Sequence, residues 1–231
     1  MGFWILKWIL SIFYRRNRFL TLGASRSGKT TLFRAAKALH EGATSYDCRK
    51  EKDSTATGID TQAQKGMIYL PGIELSFYFH GDYGGAYELQ KQHLKKDLPK
   101  VENIVYCFDA SLLAENKCIP LKKGDEEKGD ELSLREYTKA VILLCIHEMK
   151  ELKDDVNIKN FIFLGTHYDL VKNKEANTEP VLMDKIGYTD LCKEIEKYSK
   201  KIRVAFVYGS FDSFDEAKSV WIKISEKLNG D

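Results

Sequence analysis

Proline is scarce, with four in 231 residues, and the 16 glycines follow no period. Collagen-like and proline-rich architectures are thereby excluded. Cysteine is sparse and odd in number. Cys48, Cys107, Cys118, Cys145 and Cys192 are widely spaced and form no CxxC. This argues against a disulfide framework or a structural zinc and for a reducing compartment. An excess of one charge is also lacking. Lys and Arg number 36 against 34 Asp and Glu, a net charge of +2, so no nucleic-acid partner is expected. No HExxH, GxSxG or kinase signature occurs, and His40, His80, His93, His147 and His167 are dispersed. No apolar run reaches the roughly 20 residues of a comfortable membrane span.

What is present is a soluble, globular profile, 43% hydrophobic and 30% charged. The length suits one α/β domain with its own core. Cys107 and Cys145 sit in apolar runs and read as small core residues.

The N-terminus reads FWILKWILSIFY over Phe3–Tyr14, then Arg15, Arg16 and Arg18. As a helix this segment lines up Lys7, Ser11, Arg15 and Arg18 along one stripe, with Trp, Ile, Leu and Phe around the rest. Trp4, Trp8 and the arginines suit an anionic membrane surface. Packing on the protein's own core or on a partner, and a true anchor, are the alternatives. Leu6 stands where myristoylation wants Ser or Thr, which disfavours acylation. Residues 1–18 are thus expected to form an amphipathic helix, and residues 19–231 one domain.

Along that domain, strands and helices alternate. Strands are expected at Phe19–Leu22, Gly58–Gln64, Ile73–His80, Asn103–Ala110, Phe161–Leu164 and Val204–Tyr208. Helices are expected at Lys29–His40, Tyr87–Leu98, Leu134–Leu152 and Thr189–Lys201, with a final helix reaching Leu228. Ser133/Glu136 and Ser213/Glu216 have capping-box spacing. Glu115–Glu131 reads as a charged, solvated loop. The order implies a three-layer α/β fold, with a mostly parallel six-stranded sheet and helices on both faces. The pair around Pro71-Gly72 could form a hairpin, which would make one edge strand antiparallel.

Gly23-Ala24-Ser25-Arg26-Ser27-Gly28-Lys29-Thr30 fits GxxxxGK[ST] with nothing missing, between an apolar strand and a helix. The glycines let successive N–H groups curl toward phosphate oxygens. The helix adds its positive N-terminus. Lys29 brings a point charge to the outer phosphates, and the Thr30 hydroxyl is a Mg²⁺ ligand.

Phe161–Asp169 reads FIFLGTHYD, a buried strand ending in Thr166-His167-Tyr168-Asp169. A carboxylate only accepts hydrogen bonds. Guanine offers two adjacent N–H donors on one edge and adenine does not. A buried Asp169 aimed there is left unpaired by the wrong base. A helix-capping or turn role is the plainer alternative.

With these two motifs the chain resembles small GTPases of the Ras, Arf and Roc type. Gly165-Thr166-His167-Tyr168-Asp169 is similar to the Roc form of the base-reading motif, with His167 in place of a Lys. Asp82-Tyr83-Gly84-Gly85 looks like the Arf form of DxxG. Thr55-Ala56-Thr57-Gly58-Ile59-Asp60 is similar to the Roc switch-I run; Thr55 and Thr57 both fit, and Thr57 is chosen. Tyr208-Gly209-Ser210 lies where the family contacts guanine through a backbone amide, or is an ordinary turn.

The resemblance implies a guanine-nucleotide site, for GTP or GDP, of Gly23, Ser25, Arg26, Ser27, Gly28, Lys29, Thr30, Thr31, Asp82, Thr166, His167, Asp169 and Ser210. Arg26 either reaches the phosphates or points to solvent. Mg²⁺ is assigned to Thr30, Thr57 and, through water, Asp82. Lys29, Thr57 and the Gly85 amide carry catalysis. Ala86 stands where the family has the Gln that orients the attacking water, so hydrolysis is expected to be slow. The expectation is a cytoplasmic GTP-dependent switch, peripheral at a membrane through residues 3–18, acting on a protein effector or regulator not identified by the sequence. A nucleotide-binding scaffold without turnover is the alternative. An ATPase or nucleotide kinase is disfavoured by the Asp169 motif.

Overall fold

The computed structural model describes residues 16–24, 26–41, 66–70, 75–82, 94–120 and 131–229. Six strands form the main sheet: β1 (Arg16–Leu22), β2 (Gly66–Leu70), β3 (Leu75–Asp82), β4 (Asn103–Asp109), β7 (Asn160–Thr166) and β8 (Arg203–Tyr208). Their order is β2-β3-β1-β4-β7-β8. All neighbours pair in parallel except β2 with β3, an antiparallel edge pair. Between β4 and β7 lie two three-residue strands, β5 (Cys118–Pro120) and β6 (Glu131–Ser133).

Strand periodicity divides the core into two layers, because successive residues point to opposite faces. Ile104, Tyr106 and Phe108 of β4 join Phe161 and Phe163 of β7 in one cluster. Their neighbours Val105, Cys107, Ile162 and Leu164 join the other. The first cluster is covered by α3 (Leu134–Leu152), α4 (Glu179–Ile186) and α5 (Tyr188–Tyr198). The second is covered by α1 (Lys29–Glu41) and α6 (Phe214–Asn229). The helices thus lie on both faces of a largely parallel sheet, which explains why β4 and β7 show no polar alternation between their polar ends.

Local sequence sets several boundaries. At the start of α3, the Ser133 hydroxyl accepts from Glu136 N at 3.2 Å, and Glu136 Oε2 accepts from Ser133 N at 3.1 Å. Ser213 Oγ likewise accepts from Glu216 N at 3.2 Å before α6. β4 stops at Asp109 instead of running through Ala110. The Asp109 carboxylate caps the five-residue α2 (Ala110–Ala114), accepting from the Ser111 and Leu112 amides.

Several expectations are corrected. Arg16–Arg18, expected at the end of an N-terminal helix, form the first part of β1, where Arg16 to Arg18 pair with Ser76 to Tyr78 of β3. The rest of that helix, residues 1–15, lies outside the described residues. So does the strand expected at Gly58–Gln64; the hairpin partner of β3 is Gly66–Leu70. The loop expected over Glu115–Glu131 contains β5, paired antiparallel with β6. Its anchor is Ile119 opposite Leu132, both packed on the first core layer. Of the helix expected at Tyr87–Leu98, only residues from 94 onward are described, and these are helical to 97 before a 3₁₀ turn at Leu98–Lys100. Helix α4 is unanticipated by the sequence reading. It is eight residues long and buries only Leu182 and Ile186, too little for a periodic signal.

Trp221 of α6 is fully buried, its ring edge-on to Phe19 of β1 at 6.4 Å between centroids. Trp221→Ala should lower the unfolding free energy by about 3–5 kcal/mol, read from urea denaturation. A loss under about 1 kcal/mol would mean that the second core layer does not depend on this ring.

Candidate functional site

The parallel strands β1, β4, β7 and β8 deliver their carboxyl ends to one edge of the sheet, where such folds bind ligands. At the end of β1 the chain turns through Gly23–Gly28 into α1. Gly23 has φ +136°, and a Cβ there would stand 2.0 Å from the Cys107 carbonyl oxygen. The loop therefore lies on the backbone of β4 at a distance only glycine permits. Gly28 has φ +80° and packs against the Thr166 side chain, which a Cβ would meet at 3.0 Å.

The ammonium of Lys29 is buried and donates to the Ala24 and Gly23 carbonyls at 2.7 and 3.1 Å, bracing the loop from within. Ser27 is buried as well, and its hydroxyl has no hydrogen-bond partner among the described residues. Buried hydroxyls are rarely left so. Together with the N-terminus of a 13-residue helix, this loop has the donor chemistry of a phosphate cradle. Arg26 is exposed, in a left-handed conformation with φ 61°. Thr30 and Thr31, half-exposed, open the helix.

The second half of the site is the end of β7. Thr166 is fully buried. Its Oγ1 lies 3.0 Å from the Ser27 carbonyl oxygen and 3.1 Å from that of Phe108. One hydroxyl thus joins the Gly23–Gly28 loop, β4 and β7. His167 follows in the left-handed region, φ 55° and ψ 32°, which costs a non-glycine residue about 1–2 kcal/mol. Its Nδ1 lies 3.0 Å from Thr166 Oγ1 and 3.3 Å from Asp109 Oδ2.

Asp169 is half-buried. Its Oδ1 accepts a 2.7 Å hydrogen bond from the Ser210 hydroxyl, which in turn accepts from Asp212 N at 3.0 Å. The turn after β8 is laced to the turn after β7 by Gly209 N donating to Gly165 O at 2.9 Å and Tyr168 N to Gly209 O at 3.3 Å. A Cβ on Gly209 would reach Val220 Cγ2 at 2.3 Å.

The structure therefore gathers Gly23, Ser27, Gly28, Lys29, Thr30, Thr31, Thr166, His167, Asp169 and Ser210 at one sheet edge. Asp82 is the last residue of β3, in register with Thr21 of β1. Ser25, Thr57, Gly85 and Ala86 lie outside the described residues. For Ser210, expected only through its backbone, the described contact is the side-chain bond to Asp169.

Asp109 is the residue that sequence reasoning missed. Burial opposes its ionisation, but the hydrogen bonds from His167, Ser111 and Leu112 N and the charge of a protonated His167 outweigh it and hold the carboxyl below the usual range. A carboxylate closing an otherwise apolar strand was the available signal.

Thr166→Val keeps the shape of the side chain but strips Ser27 O, Phe108 O and His167 of their common partner. Stability in denaturant titration should fall by about 1–3 kcal/mol. An unchanged midpoint would show that the two loops hold together without this hydroxyl.

No family model and no curated protein sequence matches the chain. Among solved structures, the mammalian SRP receptor is 13% identical, with a TM-score of 0.52, over 91% of this chain and 100% of that one. The Arl6 BBS3 small GTPase of Trypanosoma brucei, solved with the nucleotide analogue GppNp, is 13% identical over 92% and 99% of the two chains, with a TM-score of 0.48. The signal recognition particle receptor SRb-GDP of Chaetomium thermophilum is 16% identical over 91% and 98%, with a TM-score of 0.47. With its sheet order and its glycine loop between β1 and α1, the chain shares the α/β fold of the mammalian SRP receptor structure.

Proposed function

We propose that this protein is a guanine-nucleotide-binding switch that hydrolyses GTP slowly. The observation that carries the proposal is the Asp169 carboxylate, oriented by the Ser210 hydroxyl at 2.7 Å, in the 3₁₀ turn that follows β7, whose last residue Thr166 bonds the Ser27 carbonyl of the glycine loop. That carboxylate is an acceptor pair for the two adjacent N–H groups of guanine. Adenine lacks the pair and would leave a half-buried charge unsatisfied. The Thr166 bridge ties the turn that carries Asp169 to the loop that would take the phosphates.

On this reading the Gly23–Thr31 segment takes the phosphates. Lys29 exchanges its bonds to the Ala24 and Gly23 carbonyls for the outer phosphate oxygens. The Ser27 hydroxyl gains a partner as the loop fills. Thr30, Thr57 and, through water, Asp82 would hold Mg²⁺, which when bound supplies neutralisation of the charge spread over the phosphates. The Gly85 amide senses the terminal phosphate. Residues 43–57 and 85–87 are the proposed switch segments, ordered by the triphosphate and released by the diphosphate.

Ala86 has no group to orient an attacking water, so turnover is slow; the same residue favours a second reading, a binding scaffold without turnover. A peripheral membrane placement through residues 3–18 rests on their aromatic and basic pattern. No helix among the described residues is long and apolar enough to cross a membrane.

In competition against a fluorescent GDP analogue, GTP and GDP should displace the probe at concentrations at least about 100-fold lower than ATP. Equal displacement by ATP contradicts the proposal. In single-turnover assays with labelled GTP, conversion should exceed that of a Lys29→Ala control while staying far below the roughly 5–20 s⁻¹ of assisted turnover. Conversion no greater than the control favours the scaffold.

A further inference from the structure

The contacts of His167 have a chemistry of their own. Asp109 sits at the end of β4 and His167 just past the end of β7, neighbouring parallel strands in which Asp109 is in register with Thr166. The side chains are partly screened from solvent, at 33% and 16% exposure for His167 and Asp109. Asp109 uses Oδ1 to cap α2, accepting from Ser111 N at 2.9 Å, Ser111 Oγ at 2.7 Å and Leu112 N at 3.2 Å. Oδ2 is left for His167 Nδ1 at 3.3 Å.

The other neighbour of Nδ1 is Thr166 Oγ1 at 3.0 Å. The single hydroxyl hydrogen of Thr166 faces two carbonyl acceptors, Ser27 O and Phe108 O. Toward the imidazole, Thr166 therefore offers a lone pair. Both groups at Nδ1 are acceptors, so Nδ1 carries the hydrogen, and the neutral ring keeps Nε2 as a bare acceptor. The same contacts hold His167 in its left-handed backbone conformation, φ 55°.

We infer that Asp109 is a positioning residue of the guanine site, acting through His167: it sets the tautomer and orientation of the imidazole that forms a wall of the purine pocket beside Asp169. This rests on the guanine reading proposed above. Asp109 touches no nucleotide itself; its effect passes entirely through the ring.

Asp109→Asn separates this role from helix capping. Asn is as good a cap as Asp. Its oxygen stays with the Ser111 and Leu112 amides, which turns its NH₂ toward Nδ1. The ring must then accept there and move its hydrogen to Nε2. In the full-length, nucleotide-free protein, ¹⁵N shifts of the His167 ring at alkaline pH should report Nδ1–H in wild type and Nε2–H in Asp109→Asn. Nε2–H in wild type, or no change in the variant, overturns the inference, and this readout needs neither nucleotide nor a second variant.

For GDP binding by calorimetry, Asp109→Asn and His167→Ala should each weaken affinity about 3- to 10-fold. The double variant should be no weaker than His167→Ala alone. If the two losses multiply, Asp109 acts independently of the ring and the inference fails. If wild type binds no GDP at all, it is the guanine reading that fails, and the tautomer measurement still decides whether Asp109 governs His167.

Discussion

One buried hydroxyl ties the candidate site together. Thr166 Oγ1 stands between the Ser27 carbonyl of the phosphate-type loop and the Phe108 carbonyl of β4, with His167 Nδ1 on its third side. The parallel sheet makes this meeting possible, because β1, β4 and β7 all end at the same edge. Gly28 makes it tight, since any Cβ there would press on Thr166. On the proposed reading, a loop that binds phosphate and a loop that reads a base must keep a constant separation to recognise one molecule, and the hydrogen bonds of this one side chain link the two loops.

Around that hydroxyl, each candidate recognition group is held by a neighbouring group of the protein. Asp169 is held by Ser210 from the turn after β8, and His167 by Asp109 from the end of β4. Lys29 is held by the carbonyls of its own loop. Preorganisation of this kind lowers the ordering cost of binding, because the side chains are already restricted before a ligand arrives. Backbone strain accompanies it: Arg26 and His167, neither a glycine, both have positive φ within or beside the two loops.

Much of this was legible in the sequence, for physical reasons. The buried strands β4 and β7 announced themselves because helices cover both faces of a parallel sheet, leaving no polar alternation. The loop at Gly23–Thr30 and the carboxylate Asp169 were legible because their chemistry demands particular residues at particular spacings. Ser133 and Ser213 marked helix starts through their caps. What escaped depended on tertiary pairing. β5 and β6 are three residues each and exist through Ile119 and Leu132 meeting on the core. Arg16–Arg18 read as the basic end of an amphipathic helix, yet β3 is long enough to pair back to Arg16 and draws them into β1. Asp109 is 58 residues from His167 in the chain, and only the adjacency of β4 and β7 brings them together.

The central claim is that the Asp169 carboxylate chooses the base. Asp169→Asn exchanges one acceptor oxygen for a donor amide while Ser210 can still hold the remaining oxygen. Xanthine differs from guanine by a carbonyl in place of the exocyclic amine, and so complements the amide instead of the carboxylate. Equilibrium titration of the variant with xanthosine diphosphate and GDP should show the preference of wild type inverted, by about tenfold or more. A variant that keeps the wild-type preference for GDP would show that some other group reads the purine, and would contradict the account at its centre.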